Sequence, residues 1–264
     1  MTKYEGIRLD GVGVTLGGTE VVANVDLDIA PGEFVCLLGP SGCGKSTLLN
    51  VIAGFVPATG GVFVGGHEVK GPGVERGVVF QSAEALFPWL TVRQNVEYGP
   101  KIRGASRSEC AEISERYLRL VGLFHASDKL PSELSGGMRQ RVQIARVLAN
   151  EPSVILMDEP FGALDAQTRE VLQREVDRIW RATGATIVFV THDISEAILL
   201  ADRVVTMSVG PRARIKTVAK VDLEHPRDLM DPRALALHRM LRDDIGSEVN
   251  KSLRAQGLLT EEAA

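Results

Sequence analysis

Residues 34–47 of the chain read FVCLLGPSGCGKST, and this stretch decides the fold class. Its first five residues form an apolar run that predicts a buried strand, and a helix is expected from Lys45 to about Gly54. Between them, glycines allow backbone N–H groups to point at a phosphate, and the helix N-terminus adds its positive dipole end. The pattern G-x-x-x-x-G-K-[ST] therefore predicts a phosphate-binding loop, formed by Gly39, Pro40, Ser41, Gly42, Cys43, Gly44, Lys45, Ser46 and Thr47.

Two side chains of this loop carry its expected chemistry. Lys45 is predicted to reach the β- and γ-phosphates of a nucleotide, and the Ser46 hydroxyl is predicted to coordinate Mg²⁺. An ordinary turn between a strand and a helix is the alternative interpretation. The motif follows a strand and opens a helix, as phosphate binding requires, so nucleotide binding is favoured.

A second motif, VILMDEP, occupies residues 154–160. Its four apolar residues predict a buried strand that ends in carboxylates, at the edge where ligands bind in parallel α/β sheets. Asp158 is expected to hold Mg²⁺, directly or through water, and Glu159 to orient and deprotonate an attacking water molecule. A strand that ends in an acidic turn would explain this motif alone. Together with the phosphate-binding loop, it predicts ATP hydrolysis.

A third motif, LSGGMRQR, occupies residues 134–141 ahead of a helix predicted from Gly136 to about Ala149. Ser135, Gly136 and Gly137 place small residues at a helix N-terminus, which makes a second phosphate-binding surface. An ordinary serine N-cap is the local alternative. One nucleotide does not easily need two such anion sites within one subunit.

The remaining pattern predicts an α/β fold. Alternating apolar residues and turn signals at Gly17 and Gly18 indicate antiparallel strands at the start, and a further strand is predicted over residues 62–69. Later strands alternate with helices, which predicts a parallel sheet with crossovers. We expect a P-loop ATPase core with an N-terminal antiparallel β portion and an inserted α-helical subdomain. The expected single domain, 1–264, divides into core (1–81 and 151–230), helical subdomain (82–150) and helical C-terminal tail (231–264).

Composition narrows the functional classes. The 264 residues carry a formal net charge of −4, which is not the basic footprint of a nucleic-acid-binding protein. The three cysteines, Cys36, Cys43 and Cys110, show no CxxC spacing, which fits a reducing compartment. The N-terminus lacks the apolar core of a signal peptide, and no apolar run approaches the ~18 residues of a membrane span. A cytosolic chain that does not cross a membrane is therefore expected.

In their order along the chain, the motifs GPSGCGKST, LSGGMRQR and ILMDEP resemble those of the nucleotide-binding subunits of ABC transporters, over about residues 5–220. The resemblance implies a head-to-tail dimer, expected to be a homodimer, in which each ATP lies between the phosphate-binding loop of one subunit and the Ser135 segment of the other. This arrangement would explain why one chain has two anion sites.

The resemblance also assigns roles to four further residues. Gln81 matches the glutamine that contacts Mg²⁺ or the attacking water, and His192 matches the histidine that contacts the γ-phosphate. Asp165 matches a loop that crosses the dimer interface, although it could also be a helix N-cap. Leu16 stands where the family usually has an aromatic residue that stacks on adenine. An aliphatic side chain keeps apolar contact but loses stacking worth about 0.5–1.5 kcal/mol.

Because the chain has no predicted membrane span, the resemblance implies an integral membrane permease as partner and a location at the cytoplasmic face of the membrane. The segment LFPWLTVRQNV, residues 86–96, is a candidate docking groove for a permease helix, although Phe87 and Trp89 could equally be core. This segment and its neighbours are most similar to nitrate, sulfonate and taurine importers, which use an extracytoplasmic substrate-binding protein. An importer for another small molecule, or a soluble ABC ATPase without a transport role, is the alternative.

Overall fold

A computed structural model describes residues 6–81 and 85–255 of the chain. Of the described residues, those at 6–73 and 184–255 form one unit, and those between 74 and 183 form the other. The described strands are β1 (Ile7–Leu16), β2 (Thr19–Ile29), β3 (Phe34–Leu38), β4 (Thr59–Val64), β5 (His67–Glu68), β6 (Arg76–Val79), β7 (Val154–Asp158), β8 (Thr186–Thr191), β9 (Arg203–Met207) and β10 (Ile215–Lys220). The described α-helices are α1 (Lys45–Ala53), α2 (Val92–Ile102), α3 (Arg107–Leu120), α4 (Gly136–Leu148), α5 (Ala166–Thr183), α6 (Ile194–Leu200) and α7 (Pro232–Ala255).

In the first unit, an antiparallel sheet has the strand order β2-β1-β4-β5. The predicted turn between β1 and β2 is confirmed, since Gly17 and Gly18 both have positive φ angles. The single strand predicted over residues 62–69 is wrong. Gly65 and Gly66 have φ angles of 58° and 81°, which bend the backbone back on itself and separate β4 from β5.

The same unit contains a second sheet in which β3 lies between β8 and β9 and is parallel to both. Every residue of β3 is buried, which confirms the predicted buried strand. A strand that is covered on both faces reads as a continuous apolar run, and this explains why the sequence signal was clear. β10 pairs antiparallel with β9 and forms a hairpin that the sequence analysis did not predict.

In the second unit, β6 and β7 pair in parallel, and helices α2, α3 and α4 pack on one another. Ser106 with Glu109 forms a capping box at the start of α3, and Thr91 with Gln94 forms another at the start of α2. The helix predicted from Gly136 is confirmed. The α/β class, with antiparallel and parallel portions and helices, is thus present. No helix in the described ranges has the length and apolar character for crossing a bilayer.

Candidate functional site

The phosphate-binding loop connects β3 to α1, as predicted. Gly44 is the N-cap of α1 and has a φ of 88°, a left-handed conformation that side chains other than glycine rarely adopt. A Cβ atom at this position would also lie 2.7 Å from Cγ2 of Val22. Glycine is therefore required here both by the backbone conformation and by the close approach of β2.

Lys45 lies beneath the loop and is 6% exposed. Its Nζ donates hydrogen bonds to the carbonyl oxygens of Gly39 at 2.8 Å and Pro40 at 2.9 Å, and lies 3.7 Å from Sγ of Cys43. Burial raises the pKa of the Cys43 thiol, although Lys45 opposes the shift. Cys43 is therefore kept as a neutral thiol, and the loop presents a single cationic side chain.

The N-terminus of α1 has the features of an anion site. Ser41 and Gly42 are exposed, and Ser46 and Thr47 lie half-buried in the first turn. The first turn contains no acidic residue that would neutralise the positive end of the helix dipole. Backbone N–H groups at a helix N-terminus have no intrahelical acceptor, so this end of α1 can bind a phosphate chain.

In the second unit, the strand β7 ends in the two predicted carboxylates. Asp158 is its last residue and is buried, and Glu159 follows with a φ of 43°. A non-glycine residue with positive φ is uncommon and is found preferentially at functional sites. Nε2 of Gln81 donates to Oε2 of Glu159 at 3.3 Å. The structure therefore brings together two residues that are 78 positions apart. Glu159 was predicted to act on the attacking water, and Gln81 on that water or on Mg²⁺.

The LSGGMRQR motif begins α4. Ser135 is the N-cap, and its Oγ accepts a hydrogen bond from the Met138 N–H at 3.2 Å, so the serine N-cap interpretation is confirmed. A Cβ atom at Gly137 would lie 3.2 Å from Cδ2 of Leu164 and 3.3 Å from the Ala163 oxygen. The segment before α5 therefore packs closely against the start of α4. Gly136 has no neighbour that would meet a Cβ atom.

Asp165 precedes α5 and caps it, because its Oδ1 accepts from the Thr168 N–H at 2.9 Å. This bond and a second from the Thr168 hydroxyl lower the pKa of the Asp165 carboxyl, which is exposed. The N-cap interpretation is confirmed. The role of Asp165 at a subunit interface stays a prediction.

His192 follows β8 in the first unit and is exposed. The turn that carries it is held at both ends. Asp193 caps α6 through the Ser195 N–H at 2.7 Å, and Thr191 Oγ1 donates to Glu196 Oε2 at 2.6 Å. The imidazole is thus presented at the end of a buried strand on a well-defined turn, where a ligand could reach it.

Leu16 is the last residue of β1 and is 45% exposed, immediately before the Gly17–Gly18 turn. An apolar side chain exposed to this extent is available for contact with a flat apolar group such as a nucleotide base. Its role in base binding stays a prediction.

Two glutamines that the sequence analysis did not single out contact the residue before Gln81. Gln140 and Gln143 lie on the buried face of α4, and both side chains reach the backbone of Phe80. The available signal was the presence of two amides three positions apart on an otherwise apolar helix face. Such amides do not indicate by themselves what they bind.

A groove of about 420 Å³ lies in the second unit, lined by residues of β6, α2 and α4 and of the segments that join them. The Phe87 ring packs on Tyr98 at 4.6 Å and on Trp89 at 5.6 Å, and the Arg146 guanidinium lies 5.3 Å from its centroid. Trp89 is 72% exposed and Ile102 is 71% exposed. Phe87 therefore belongs to the packed wall of the groove, whereas Trp89 offers a free aromatic surface beside it.

Comparison with known proteins identifies relatives along most of the chain. The family model described as ABC transporter matches residues 22–162. An uncharacterized ABC transporter ATP-binding protein of Methanocaldococcus jannaschii is 48% identical over 88% of this chain and 86% of its own length. The taurine import ATP-binding protein TauB of Jannaschia sp. is 51% identical over 74% of this chain and 73% of its length. The nitrate import ATP-binding protein NrtC of Synechococcus elongatus is 46% identical over 91% of this chain, which covers 37% of that longer protein.

Solved structures give the same result for the fold. The dimeric post-hydrolysis state of an ATP-binding cassette, bound to ADP and Pi, has a TM-score of 0.73 and 34% identity. The match covers 81% of this chain and 98% of that chain.

Proposed function

Because this chain belongs to the ABC transporter family, we propose that it is the ATP-hydrolysing subunit of an importer that carries a small anion through a separate membrane permease. The observation that carries the proposal is the arrangement at α1, where Lys45 is buried beneath a loop with exposed Ser41 and Gly42, at a helix N-terminus free of acidic residues. This is a site for a polyphosphate. Relatives named for taurine and nitrate import support the anionic cargo.

We propose that Lys45 and the N–H groups of residues 39–47 hold the phosphates of ATP, and that Leu16 contacts the base. Mg²⁺ fits the donors assigned to it, because Ser46, Gln81 and Asp158 supply hydroxyl, amide and carboxylate oxygens. No cluster of three His, Cys, Asp or Glu that could hold a metal occurs among the described residues. A few oxygen donors together with substrate phosphates are what Mg²⁺ commonly uses. When bound, the ion neutralises charge on the phosphate oxygens.

In the proposed reaction, water attacks the γ-phosphorus in line with the bond to the leaving oxygen. Glu159 orients this water and accepts its proton, and Gln81, which donates to Glu159, helps to fix both. His192 contacts the γ-phosphate from its exposed turn. Lys45 stabilises the negative charge on the transferred group. Glu159 has a positive φ, a costly conformation for a non-glycine residue that persists only where the surrounding structure imposes it. Such residues cluster at active sites, which supports a functional role for Glu159.

We propose that a second copy of the chain completes each site, in a head-to-tail homodimer. The N-terminus of α4, with Ser135, Gly136 and Gly137, would then meet the γ-phosphate held by the partner, while Asp165 lies at the interface. The exposed position of Ser135 and the dimeric state of a similar cassette support this arrangement.

The transport partner would dock on the groove of the second unit. Trp89 and Ile102 are exposed large apolar side chains beside a concave surface, and such surfaces receive amphipathic helices. We propose that a cytoplasmic helix of the permease binds there, so that the chain lies at the cytoplasmic face of the membrane. An extracytoplasmic substrate-binding protein would deliver the cargo, and no nucleic acid takes part.

Capture of the chain from gently solubilised native membranes tests this proposal. A polytopic membrane protein in two-to-two stoichiometry is expected, together with ATPase activity that Lys45→Ala abolishes. The binding protein associated with it can then be screened with nitrate, taurine, alkanesulfonates and bicarbonate. If the chain hydrolyses ATP but no membrane protein accompanies it, the alternative of a soluble ABC ATPase is correct. If another class of cargo binds, the chain serves a different importer.

A further inference from the structure

We propose that Gln140 and Gln143 are positioning residues for Gln81, because from α4 they hold the backbone of Phe80 and thereby fix Gln81 against Glu159. This inference rests on the proposed function, in which Gln81 acts beside the attacking water. We refer to the two glutamines and Phe80 as the amide clamp.

The clamp binds both polar groups of one peptide residue. The Phe80 N–H donates to Oε1 of Gln143, and Nε2 of Gln140 donates to the Phe80 carbonyl oxygen at 3.1 Å. An N–H requires an acceptor and a carbonyl requires a donor, so these partners fix the orientation of both amides. Gln140 is 1% exposed and Gln143 is fully buried, so both bonds lie away from competing water.

Gln81 follows directly after the clamped residue. Its side chain is exposed, and its bond to Glu159 is long at 3.3 Å. A long, exposed hydrogen bond does not by itself hold a flexible side chain in one place. The direction of the Gln81 side chain therefore depends on the backbone that the clamp holds, directly after the end of β6 at Val79.

Stability alone does not explain the amide at position 140. Within the described residues, Oε1 of Gln140 has no hydrogen-bond partner although the side chain is buried. An unsatisfied buried acceptor costs on the order of 1–3 kcal/mol, and an apolar side chain of similar size would move that cost to the Phe80 carbonyl, which would lose its donor. A role for its Nε2 on the Phe80 carbonyl does explain why a glutamine is present.

The clamp also lies on the helix that carries the second anion site. Gln140 is one helical turn beyond Gly136, about 6 Å along the axis of α4. A helix behaves as a rigid element over so short a distance, so a displacement of its N-terminus moves Phe80 as well. When Ser135 contacts a partner's nucleotide, the resulting displacement of α4 would thus move Phe80 and Gln81 through the clamp. Dimer closure would in this way be linked to placement of the attacking water.

Steady-state ATPase measurements on the full chain test the clamp. Gln140→Met and Gln143→Met keep volume and remove the hydrogen bonds, and each is expected to lower kcat by about 10- to 100-fold, the cost of misplacing a reacting group, with the KM for ATP within about twofold. Gln143→Glu keeps the acceptor and should restore most of kcat. Gln173→Met, which changes a buried glutamine of α5, is the matched control and should leave kcat unchanged.

A double mutant distinguishes positioning from a general structural effect. If the clamp acts through Gln81, adding Gln143→Met to Gln81→Ala lowers kcat no further. Unchanged kcat in both methionine variants, or a fully additive double mutant, overturns the inference. Should Gln143→Met fail to fold, Gln140→Met decides, since it removes one unsatisfied acceptor while it deprives the Phe80 carbonyl of a donor, and it should therefore be about as stable as the wild type. If the Lys45→Ala variant keeps the ATPase activity of the wild type, the proposed function itself is refuted.

Discussion

Glu248 on α7 should make the stability of the chain depend on pH in acid. It is 2% exposed, its carboxylate accepts from the Val209 N–H at 2.9 Å, and it faces Lys216 at 3.0 Å and Lys251 at 2.6 Å. Burial alone would raise the pKa of this carboxyl. The bonds from Lys251, Val209 and Lys216 outweigh burial and lower the pKa from 4.5 to about 2.

The size of the effect follows from this difference in pKa. Because the folded-state pKa is depressed, the contribution to stability is complete above the unfolded value of 4.5 and is lost as the pH falls toward 2. A fall of about 2.5 in pKa corresponds to about 3 kcal/mol at neutral pH, at 1.36 kcal/mol for each unit. Linkage then predicts that the contribution of Glu248 to the free energy of unfolding falls by about 1.4 kcal/mol between pH 6 and pH 3.5.

Urea unfolding of the wild type and Glu248→Gln at both pH values measures this loss. Glutamine keeps the acceptor for Val209 but carries no charge, and the other carboxylates titrate in both proteins. The difference in unfolding free energy should therefore narrow by about 1.4 kcal/mol at pH 3.5. Asp243→Asn, on the same helix but 79% exposed, is the control and should show little change. If the free energies of unfolding of the wild type and Glu248→Gln differ by the same amount at both pH values, the reasoning is refuted.

Three further variants test the nucleotide site and the groove. Glu159→Gln should still bind MgATP and accumulate as a dimer in size-exclusion chromatography while turnover falls by orders of magnitude; near-normal turnover would exclude Glu159 as the base. Leu16→Tyr should raise the preference for ATP over GTP in competition binding by about 2- to 12-fold, the equivalent of 0.5–1.5 kcal/mol of ring stacking; an unchanged preference would show that this residue does not contact the base. Trp89→Ala should reduce co-purification of the permease without changing the ATPase rate of the isolated ATPase subunit. If the permease still co-purifies with the variant, its docking site lies elsewhere.

The sequence predicted the nucleotide-binding elements well because independent signals coincide there. The apolar run of β3, the glycines after it and the start of α1 at Lys45 each indicate the same boundaries, and the structure confirms them within a residue or two. The N-cap at Ser135 and the strand that ends at Asp158 could be predicted equally well, since the sequence signal for each comes from neighbouring residues only.

Other features depend on contacts that a single sequence does not display. The break between β4 and β5 was missed because the glycines at 65 and 66 interrupt a run that otherwise reads as one strand. The amide clamp joins Phe80 to Gln140, 60 positions later, and a buried glutamine does not indicate which backbone group it binds. The resemblance to a family gave Gln81 a role at Mg²⁺ or the attacking water, but its long-range bond to Glu159 was not predicted.

The tail helix α7 was predicted as a helix, but its relation to the nucleotide site follows from the packing of the first unit. Glu248 holds the Val209 N–H, in the segment that follows β9. A Cβ atom at Gly210 would lie 3.5 Å from the Gly42 oxygen, and one at Gly39 would lie 3.2 Å from the Met207 oxygen. This segment therefore supports the phosphate-binding loop from behind, and α7 fixes the segment. Since a loop can lose its geometry before the domain unfolds, Glu248→Ala, which removes the acceptor for the Val209 N–H, should weaken ATP binding even at a pH where the chain stays folded.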